Sequence, residues 1–223
     1  MGTALHLVSR AMQTMAACSR GFAATLIFCL LSVFPAGPVR AAPQAIPVGH
    51  ILRGHFQQDR QLAGFSKPLR TEGSFLLVPG KGLIWFGEKP FANTTIITSA
   101  GILQLANGQE AMRLPASQLP GLSHLYEVLG AALTGNIDPL RQTFAITESA
   151  QAAQWQLVLK PLHPDSPSMS QLKSLTLSGG HFVDAVEIDK GGGDVDHITF
   201  LDQVETAADL SANEKALLGK LGK

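Results

Sequence analysis

Short apolar runs separated by glycine, proline and asparagine recur along the chain from residue 56 onward. Each run is about 5 to 10 residues long, and the breakers return at the spacing typical of strands in an antiparallel sheet. Pro79-Gly80-Lys81-Gly82, Ala106-Asn107-Gly108 and the two-residue link Gly179-Gly180 favour turns between such runs. The pattern predicts about ten or eleven antiparallel strands, and the candidate runs are 56–65, 70–78, 82–88, 93–99, 101–106, 110–114, 143–149, 154–160, 171–178, 181–189 and 195–204.

Three segments show the apolar spacing of a helix instead. Apolar residues between Ile46 and Phe56 predict a short N-terminal helix. In residues 120–134, leucine and alanine repeat at intervals of three and four, which predicts an amphipathic helix with one apolar stripe. The tail 207–221 is the third predicted helix. With no repeat or linker to divide it, the chain reads as one mostly-β or α+β domain in which helix 120–134 covers either a filled core or an apolar cavity.

The first 41 residues have the pattern of a secretory signal. Arg10 and Arg20 precede an apolar run at 22–34 of about 13 residues, which is shorter than the ~20 residues that span a bilayer. Helix breakers and the small-residue sequence Val39-Arg40-Ala41-Ala42 follow. We therefore predict a cleaved signal peptide at 1–41 and a mature domain at 42–223 in the periplasm, with an uncleaved membrane anchor as the alternative.

Composition narrows the possible functions of this domain. Seventeen Lys and Arg balance seventeen Asp and Glu, so the chain lacks the basic excess of a nucleic-acid-binding protein. Both cysteines, Cys18 and Cys29, precede residue 42. The mature domain is then free of disulfides, thiolate nucleophiles and cysteine-ligated metals. A lipid-anchored protein requires a cysteine directly after the apolar run, and neither cysteine lies there.

Sequence motifs for catalysis or metal binding are few. The chain contains no Gly-x-Ser-x-Gly, His-Glu-x-x-His or phosphate-loop sequence. His181 with Asp184, and Asp194-x-Asp196-His197, resemble fragments of catalytic sites, and the acids of 184–196 have oxygen donors that suit calcium. Polar turns and solvent-facing strand ends explain the same residues more simply. We predict a protein that is not an enzyme and has no cofactor or metal.

Several motifs resemble the periplasmic outer-membrane lipoprotein carrier family, the LolA-like proteins. They are Phe56-x-Gln58, Gly73-x-Phe75, and Leu83-x-Trp85 followed five residues later by Pro90. Ile96-x-x-x-x-Gly101 and the strand Trp155-x-Leu-Val-Leu-Lys-Pro161 follow in the same order. The likeness covers roughly residues 45–205, and it rests on the order and spacing of the motifs because each alone is common.

The resemblance implies an open antiparallel half-barrel with a helical lid over an apolar concave face. It also implies a monomeric carrier without covalent chemistry. Such a carrier accepts an acylated lipoprotein from an inner-membrane ABC transporter and delivers it to an outer-membrane receptor. The alternatives are a LolA-like paralogue that carries or senses another envelope lipid or glycolipid, a structural module with a filled barrel, and a periplasmic hydrolase.

Apolar residues on two strands and the lid are the candidate acyl-contacting surface, because burial stabilises an acyl chain by about 0.8 kcal/mol per methylene. The rival interpretation is an ordinary core, and the opposite strand face with Leu76, Ile84 and Phe86 is nearly as apolar. The candidates are Phe75, Leu77, Leu83, Trp85, Ile97, Leu122, Leu125, Leu129, Leu133, Leu157 and Leu159.

One position departs from the family pattern. These carriers usually have an arginine six residues before the strand tryptophan, where it bonds carbonyls of the lid and holds the lid shut. Here that position is Pro79, and Lys81 is the nearby cation that could replace it. The departure puts the lid latch in doubt and favours a different amphiphilic cargo, such as a glycolipid.

Overall fold

The computed structural model describes residues 45–47, 49–118, 128, 130, 137–151, 154–207 and 209–221. These residues form one open antiparallel sheet, which confirms the mostly-β half-barrel expected from the sequence. In the parts of the chain described, no helix has the length and hydrophobicity of a membrane span. The strands are β1 (His50–Gln61), β2 (Leu69–Val78), β3 (Gly82–Lys89), β4 (Asn93–Thr98), β5 (Gly101–Ala106), β6 (Gln109–Pro115), β7 (Phe144–Gln151), β8 (Gln154–Pro161), β9 (Ser174–Gly179), β10 (Val183–Asp189) and β11 (Val195–Ala207). Two 3₁₀ segments, Ala116–Gln118 and Asp138–Gln142, and a C-terminal helix α1 (Ala212–Leu218) are also present.

The first and last strands lie side by side at the centre of the sheet. The strand order is β6-β5-β4-β3-β2-β1-β11-β10-β9-β8-β7. Strands β1 and β11 are also the longest, with 12 and 13 residues. The sheet therefore consists of two meanders, β1–β6 and β7–β11, joined by one antiparallel ladder between β1 and β11. Its two edges are β6 and β7.

The predicted N-terminal helix over Ile46–Phe56 is wrong, because β1 begins at His50 and runs through this segment. The apolar side chains of this segment pack on both faces of the sheet. Ile51 packs on one face, while Leu52 and Phe56 pack on the other. A strand buried on both faces loses the alternation of apolar and polar residues. The spacing that remains imitates the apolar stripe of a helix.

The predicted two-residue hairpin at Gly179-Gly180 is also wrong. Strand β9 ends at Gly179 and β10 begins at Val183, so three residues connect them. The backbone N–H of Gly180 donates to Asp184 Oδ2 at 3.0 Å, and its carbonyl accepts from Trp155 Nε1 at 2.8 Å. These two bonds hold the wider turn.

The Asn107-Gly108 turn and the C-terminal helix match the sequence pattern. Asn107 and Gly108 have φ of 51° and 78°, as a two-residue type I′ hairpin requires. Helix α1 begins after Ser211, which forms a capping box with Glu214. Arg53 on β1 donates to both carboxylate oxygens of Glu214 at 3.0 Å, and this ion pair ties the helix to the sheet.

Both faces of β2 and β3 are buried. The outer face, which we define as the one under α1, packs Leu76 and Ile84 against Leu217 of the helix. The inner face carries Phe75 and Leu83 in a separate cluster. The C-terminal helix thus covers one apolar face of the sheet and leaves the other to form the site described next.

Candidate functional site

An apolar cavity of about 160 Å³ lies on the inner face of the sheet. It spans the junction of the two meanders, because its wall comes from β1, β2 and β3 on one side and β9, β10 and β11 on the other. Every lining residue in the described chain except one is hydrophobic. The lining residues are Ile46, Leu52, Phe75, Leu77, Leu83, Trp85, Val128, Leu175, Leu177, Phe182, Val183, Val186, Ile188, Ile198, Phe200 and Gln203.

Four of the predicted residues lie in this wall. Phe75, Leu77, Leu83 and Trp85 all line the cavity, whereas Leu76 and Ile84 of the opposite face pack under α1. Cross-strand pairing explains the grouping, since Phe75 pairs with Trp85, and Leu77 with Leu83, in the β2–β3 ladder. That these side chains contact lipid stays a prediction.

An aromatic cluster forms one side of the cavity. The rings of Phe56 and Trp85 have centroids 4.1 Å apart, and the rings of Phe75 and Phe200 meet edge to face at 5.1 Å. Phe200 also meets Trp85 edge to face at 5.9 Å. Because Phe200 is on β11, this cluster joins the β1–β3 wall to the β9–β11 wall. Aromatic pairs of this geometry contribute about 0.5–1.5 kcal/mol each beyond their burial.

Three predicted residues lie beside the cavity rather than in its wall. Ile97 packs against the cluster that contains Phe75. Leu157 and Leu159 are buried in the cluster of β7–β9 together with Trp155 and Met169. Ile97 pairs with Leu83, Leu157 with Leu177, and Leu159 with Leu175, so the three residues continue the inner face of the sheet beside the cavity wall. That they contact lipid stays a prediction.

The predicted lid helix falls almost entirely outside the described residues. Leu122, Leu125, Leu129 and Leu133 all belong to that part of the chain. Within the segment, Val128 and Gly130 are helical, and Val128 is 6% exposed and lines the cavity. Sequence reasoning missed Val128, although its place three residues after Leu125 borders the predicted stripe.

The far wall was also missed. Leu175 and Leu177 on β9, Val186 and Ile188 on β10, and Ile198 on β11 all line the cavity. Their two-residue alternation was visible in the sequence. What the sequence did not show was that β11 pairs with β1, which places these residues opposite Phe75 and Trp85.

Gln203 is the polar residue in the described wall. Its Nε2 donates to the carbonyl of Val183 at 2.9 Å and lies 3.4 Å from Asp184 Oδ1. The amide is therefore held by β10 at the edge of an otherwise hydrocarbon surface. Since no charged side chain lines the cavity among the described residues, it suits a hydrocarbon group and not an ionic one.

The suggestive polar motifs have structural partners. Asp184 accepts from the backbone N–H of Gly180, while the ring of His181 meets that of Phe182 edge to face with centroids 4.4 Å apart. Asp189 is bonded to Lys173 and Asp194 to the backbone of Ala63. Among the described residues, no group of three or more His, Cys, Asp or Glu is arranged to hold a metal ion.

Asp196 is the one buried acid of this group. It is 3% exposed, and its carboxylate bonds Arg60 Nε at 2.8 Å and Lys190 Nζ at 2.7 Å. Burial alone raises the pKa of this carboxyl, but the bonds from Lys190 and Arg60 outweigh burial and hold the pKa below its ordinary value. The three residues pin β1, β11 and the end of β10 together.

We expect Asp196→Asn to lower the free energy of unfolding by about 2 kcal/mol at neutral pH, because hydrogen bonds to a charged group contribute about 1.5–3 kcal/mol. The lowered folded-state pKa means that the contribution is complete above the unfolded value of about 3.9 and is lost as the pH falls through the folded value. Urea unfolding between about pH 7 and pH 3 measures this. The exposed Asp165→Asn serves as the control, and an Asp196→Asn protein with the parent's acid profile contradicts the expectation.

The turn between β2 and β3 contains Pro79, the position at which the resemblance implies an arginine. Pro79, Gly80 and Lys81 connect β2 to β3, and the backbone N–H of Lys81 donates to the carbonyl of Val78 at 3.0 Å. The side chain of Lys81 is exposed. Pro79 has neither a backbone N–H nor a side-chain donor, so it cannot make the bonds that the resemblance implies for an arginine at this position.

Comparison with known proteins places the chain in a family. The model of outer membrane lipoprotein carrier protein LolA-like domains matches residues 42–219. Among curated proteins, no sequence matches the chain with significance. A crystal structure of a LolA superfamily protein from Nitrosomonas europaea is similar with 12% identity, 78% coverage of this chain, 93% coverage of the other and a TM-score of 0.42.

Two further solved structures are similar at low identity. The complex of Pseudomonas aeruginosa MucA and MucB gives 10% identity and a TM-score of 0.43, with 76% of this chain and 56% of that chain covered. A putative outer membrane lipoprotein-sorting protein domain from Vibrio parahaemolyticus gives 8% identity and a TM-score of 0.35, with 79% and 94% covered. On the family match, which covers most of its length, the chain belongs to the LolA-like outer membrane lipoprotein carrier family.

Proposed function

We propose that this protein is a periplasmic carrier that shelters acyl chains in the cavity between its two meanders. The observation that carries the proposal is the cavity wall, which among the described residues consists of fifteen hydrophobic residues and Gln203, without a charged side chain. Membership of the LolA-like family supports a carrier of lipid or lipoprotein cargo. Residues 1–41 act as the cleaved export signal, and 42–223 form the carrier domain.

The cavity is small for an acyl chain, so its wall has to move when cargo binds. About 160 Å³ is close to the apolar cavity of about 150 Å³ that holds a benzene-sized guest, and sites for larger ligands measure about 300–1,000 Å³. An acyl chain therefore has to displace part of the wall. Val128 and the half-buried aromatic residues Trp85 and Phe200 are the wall residues whose displacement we expect to admit the chain.

The cargo we favour is an acylated lipoprotein, received from an inner-membrane ABC transporter and passed to an outer-membrane receptor. The family description supports this choice. Pro79 supports the second candidate, a specialised carrier for another envelope lipid or glycolipid, because it removes the donor that latches the lid in lipoprotein carriers. Both candidates need the same apolar cavity and differ in the headgroup outside it.

Short-range quenching by a brominated fatty acid tests the binding site. Trp85 lines the cavity, while Trp155 is buried in the neighbouring cluster. We expect saturable quenching of tryptophan fluorescence in the parent protein. Trp85→Phe should remove most of it, because the quencher must approach the ring closely, and Trp155→Phe should retain it.

The opposite pattern would contradict the proposal. Quenching that does not saturate, or that is equal in Trp85→Phe and Trp155→Phe, means that the fatty acid does not occupy this cavity. Thermal unfolding of both variants beside the parent shows whether each protein remains folded during the measurement.

A further inference from the structure

Exposed apolar side chains collect at one end of the sheet. Phe65 is 61% exposed, Leu69 is 55% exposed and Phe91 is 80% exposed. The strand register brings them together, since Leu69 pairs with Arg60 at the end of β1, and Lys89, two residues before Phe91, pairs with Glu72 on β2. We call Phe65, Leu69 and Phe91 the rim patch.

A fourth exposed residue lies at the same end of the sheet. Leu162 directly follows β8, and it is 46% exposed. Successive register pairs connect the end of β8 to the start of β9, the end of β10 and the start of β11, which lies beside the end of β1. Exposed apolar side chains thus mark this end of both meanders.

Cations accompany each of these apolar residues in sequence. Lys67 follows Phe65 by two positions, Arg70 follows Leu69 directly, Lys89 precedes Phe91 by two, and Lys160 precedes Leu162 by two. The exposed Leu201 and Val204, by contrast, are each followed by an acid, Asp202 and Glu205. Apolar tips beside lysine and arginine are the pattern of a surface that enters a lipid headgroup region.

Local hydrogen bonds fix the backbone of the turns that carry Phe65 and Phe91. Asn93 Nδ2 donates to the carbonyl of Phe91 at 3.1 Å, and Gln61 Nε2 donates to the carbonyl of Phe65 at 2.6 Å. The backbone N–H of Ala63 donates to Asp194 Oδ1 at 2.8 Å and anchors the loop between β1 and β2. The patch therefore lies on braced turns with its side chains more than half exposed, which suits insertion into a bilayer better than a fit into a protein groove.

Two of the positive charges near the rim patch are paired with acids. Arg70 is paired with Asp59 at 2.7 Å, and Lys89 with Glu72 at 3.0 Å. These pairs neutralise much of the positive charge of Arg70 and Lys89, so the apolar side chains are the stronger feature of this surface. Its affinity for lipid should therefore depend only modestly on anionic headgroups.

We propose that the rim patch docks this protein on a phospholipid bilayer through the interfacial insertion of Phe65, Leu69 and Phe91. The inference goes beyond the carrier function and does not require the cavity to hold lipid. Docking would bring one end of the half-barrel to the membrane surface, where an amphiphile enters or leaves.

A tryptophan reporter at the patch tests the docking. In the exported protein, Phe91→Trp places the reporter at the most exposed tip, and Val204→Trp places a matched one on the outer face, where Val204 is 56% exposed. The parent protein, with Trp85 and Trp155, supplies the background. On mixing with phosphatidylethanolamine–phosphatidylglycerol vesicles that contain brominated lipid, Phe91→Trp should shift its emission to the blue and be quenched, while Val204→Trp should not change.

Vesicle sedimentation supplies the second readout. Phe91→Ser should weaken vesicle binding about tenfold, which is ~1.4 kcal/mol, and leave saturable binding of brominated fatty acid in the cavity unchanged. If the fluorescence of Phe91→Trp does not change with vesicles, or changes no more than that of Val204→Trp, the proposal is overturned. A protein partner then explains the exposed patch better. A protein that fails to bind fatty acid but docks through Phe91 would refute the carrier function alone.

Discussion

Val186→Glu is expected to lower the affinity of the cavity for acyl chains at least about a hundredfold, which is ~2.7 kcal/mol. Val186 lines the cavity from β10 and is half-buried. In the empty protein the new carboxylate can keep part of its hydration, so the fold tolerates it. A bound acyl chain would remove that water, and an unpaired charge against hydrocarbon is costly.

The brominated fatty acid titration measures this effect, with Val204→Glu on the exposed outer face as the matched control. Val186→Phe separates the effect of the added charge from the effect of lost cavity volume, because it fills part of the cavity with an apolar ring. We expect it to weaken binding and to leave thermal stability near that of the parent. A Val186→Glu protein that binds the fatty acid as tightly as Val204→Glu would show that this cavity is ordinary core.

Gly73→Ala should destabilise the protein by about 3 kcal/mol, at the upper end of single-substitution effects. A Cβ at Gly73 would lie 1.9 Å from the backbone carbonyl oxygen of Phe86. The β2–β3 register shifts beside this residue, so the ladder can relieve the clash only by separating. Phe75 and Trp85 depend on the same ladder, and their side of the cavity should loosen with it.

Urea unfolding of Gly73→Ala beside Gly64→Ala checks the steric argument. Gly64 has φ of +82° and open space around its Cα, so alanine there adds only the cost of a left-handed conformation, about 1–2 kcal/mol. If the two variants lose equal stability, close approach of the strands at Gly73 is not what requires glycine.

Local features of the fold were readable in the sequence. Turns such as Asn107-Gly108 depend on the residues that form them, and breaker spacing placed every strand except β1 within about three residues at each end. For β1 the predicted run 56–65 begins six residues after the observed start at His50. The helix predicted at Ile46–Phe56 failed because the burial of both faces of β1 depends on partners far along the chain. Ile51 packs with Leu217, and Phe56 packs with Trp85.

The choice between the two apolar faces of β2 and β3 is likewise a matter of long-range packing. Period two cannot distinguish Leu77 from Leu76. Docking of α1 resolves it, because Leu217 covers Leu76 and leaves Leu77 to the cavity. The same reasoning applies to Asp196, whose burial depends on Arg60, 136 residues away in the chain.

Mass spectrometry of the protein recovered gently from the periplasm of its own cell is the most direct test of whether it carries acyl chains. We expect a bound acyl compound, either an acylated polypeptide or another acyl lipid, that is reduced in Val186→Glu but present in Val204→Glu. An acylated polypeptide supports the lipoprotein route, and a glycolipid or other lipid supports the specialised carrier. Protein that holds no lipid as isolated, and takes up none when incubated with extracted membrane lipids, would show that it is not a carrier of acyl chains.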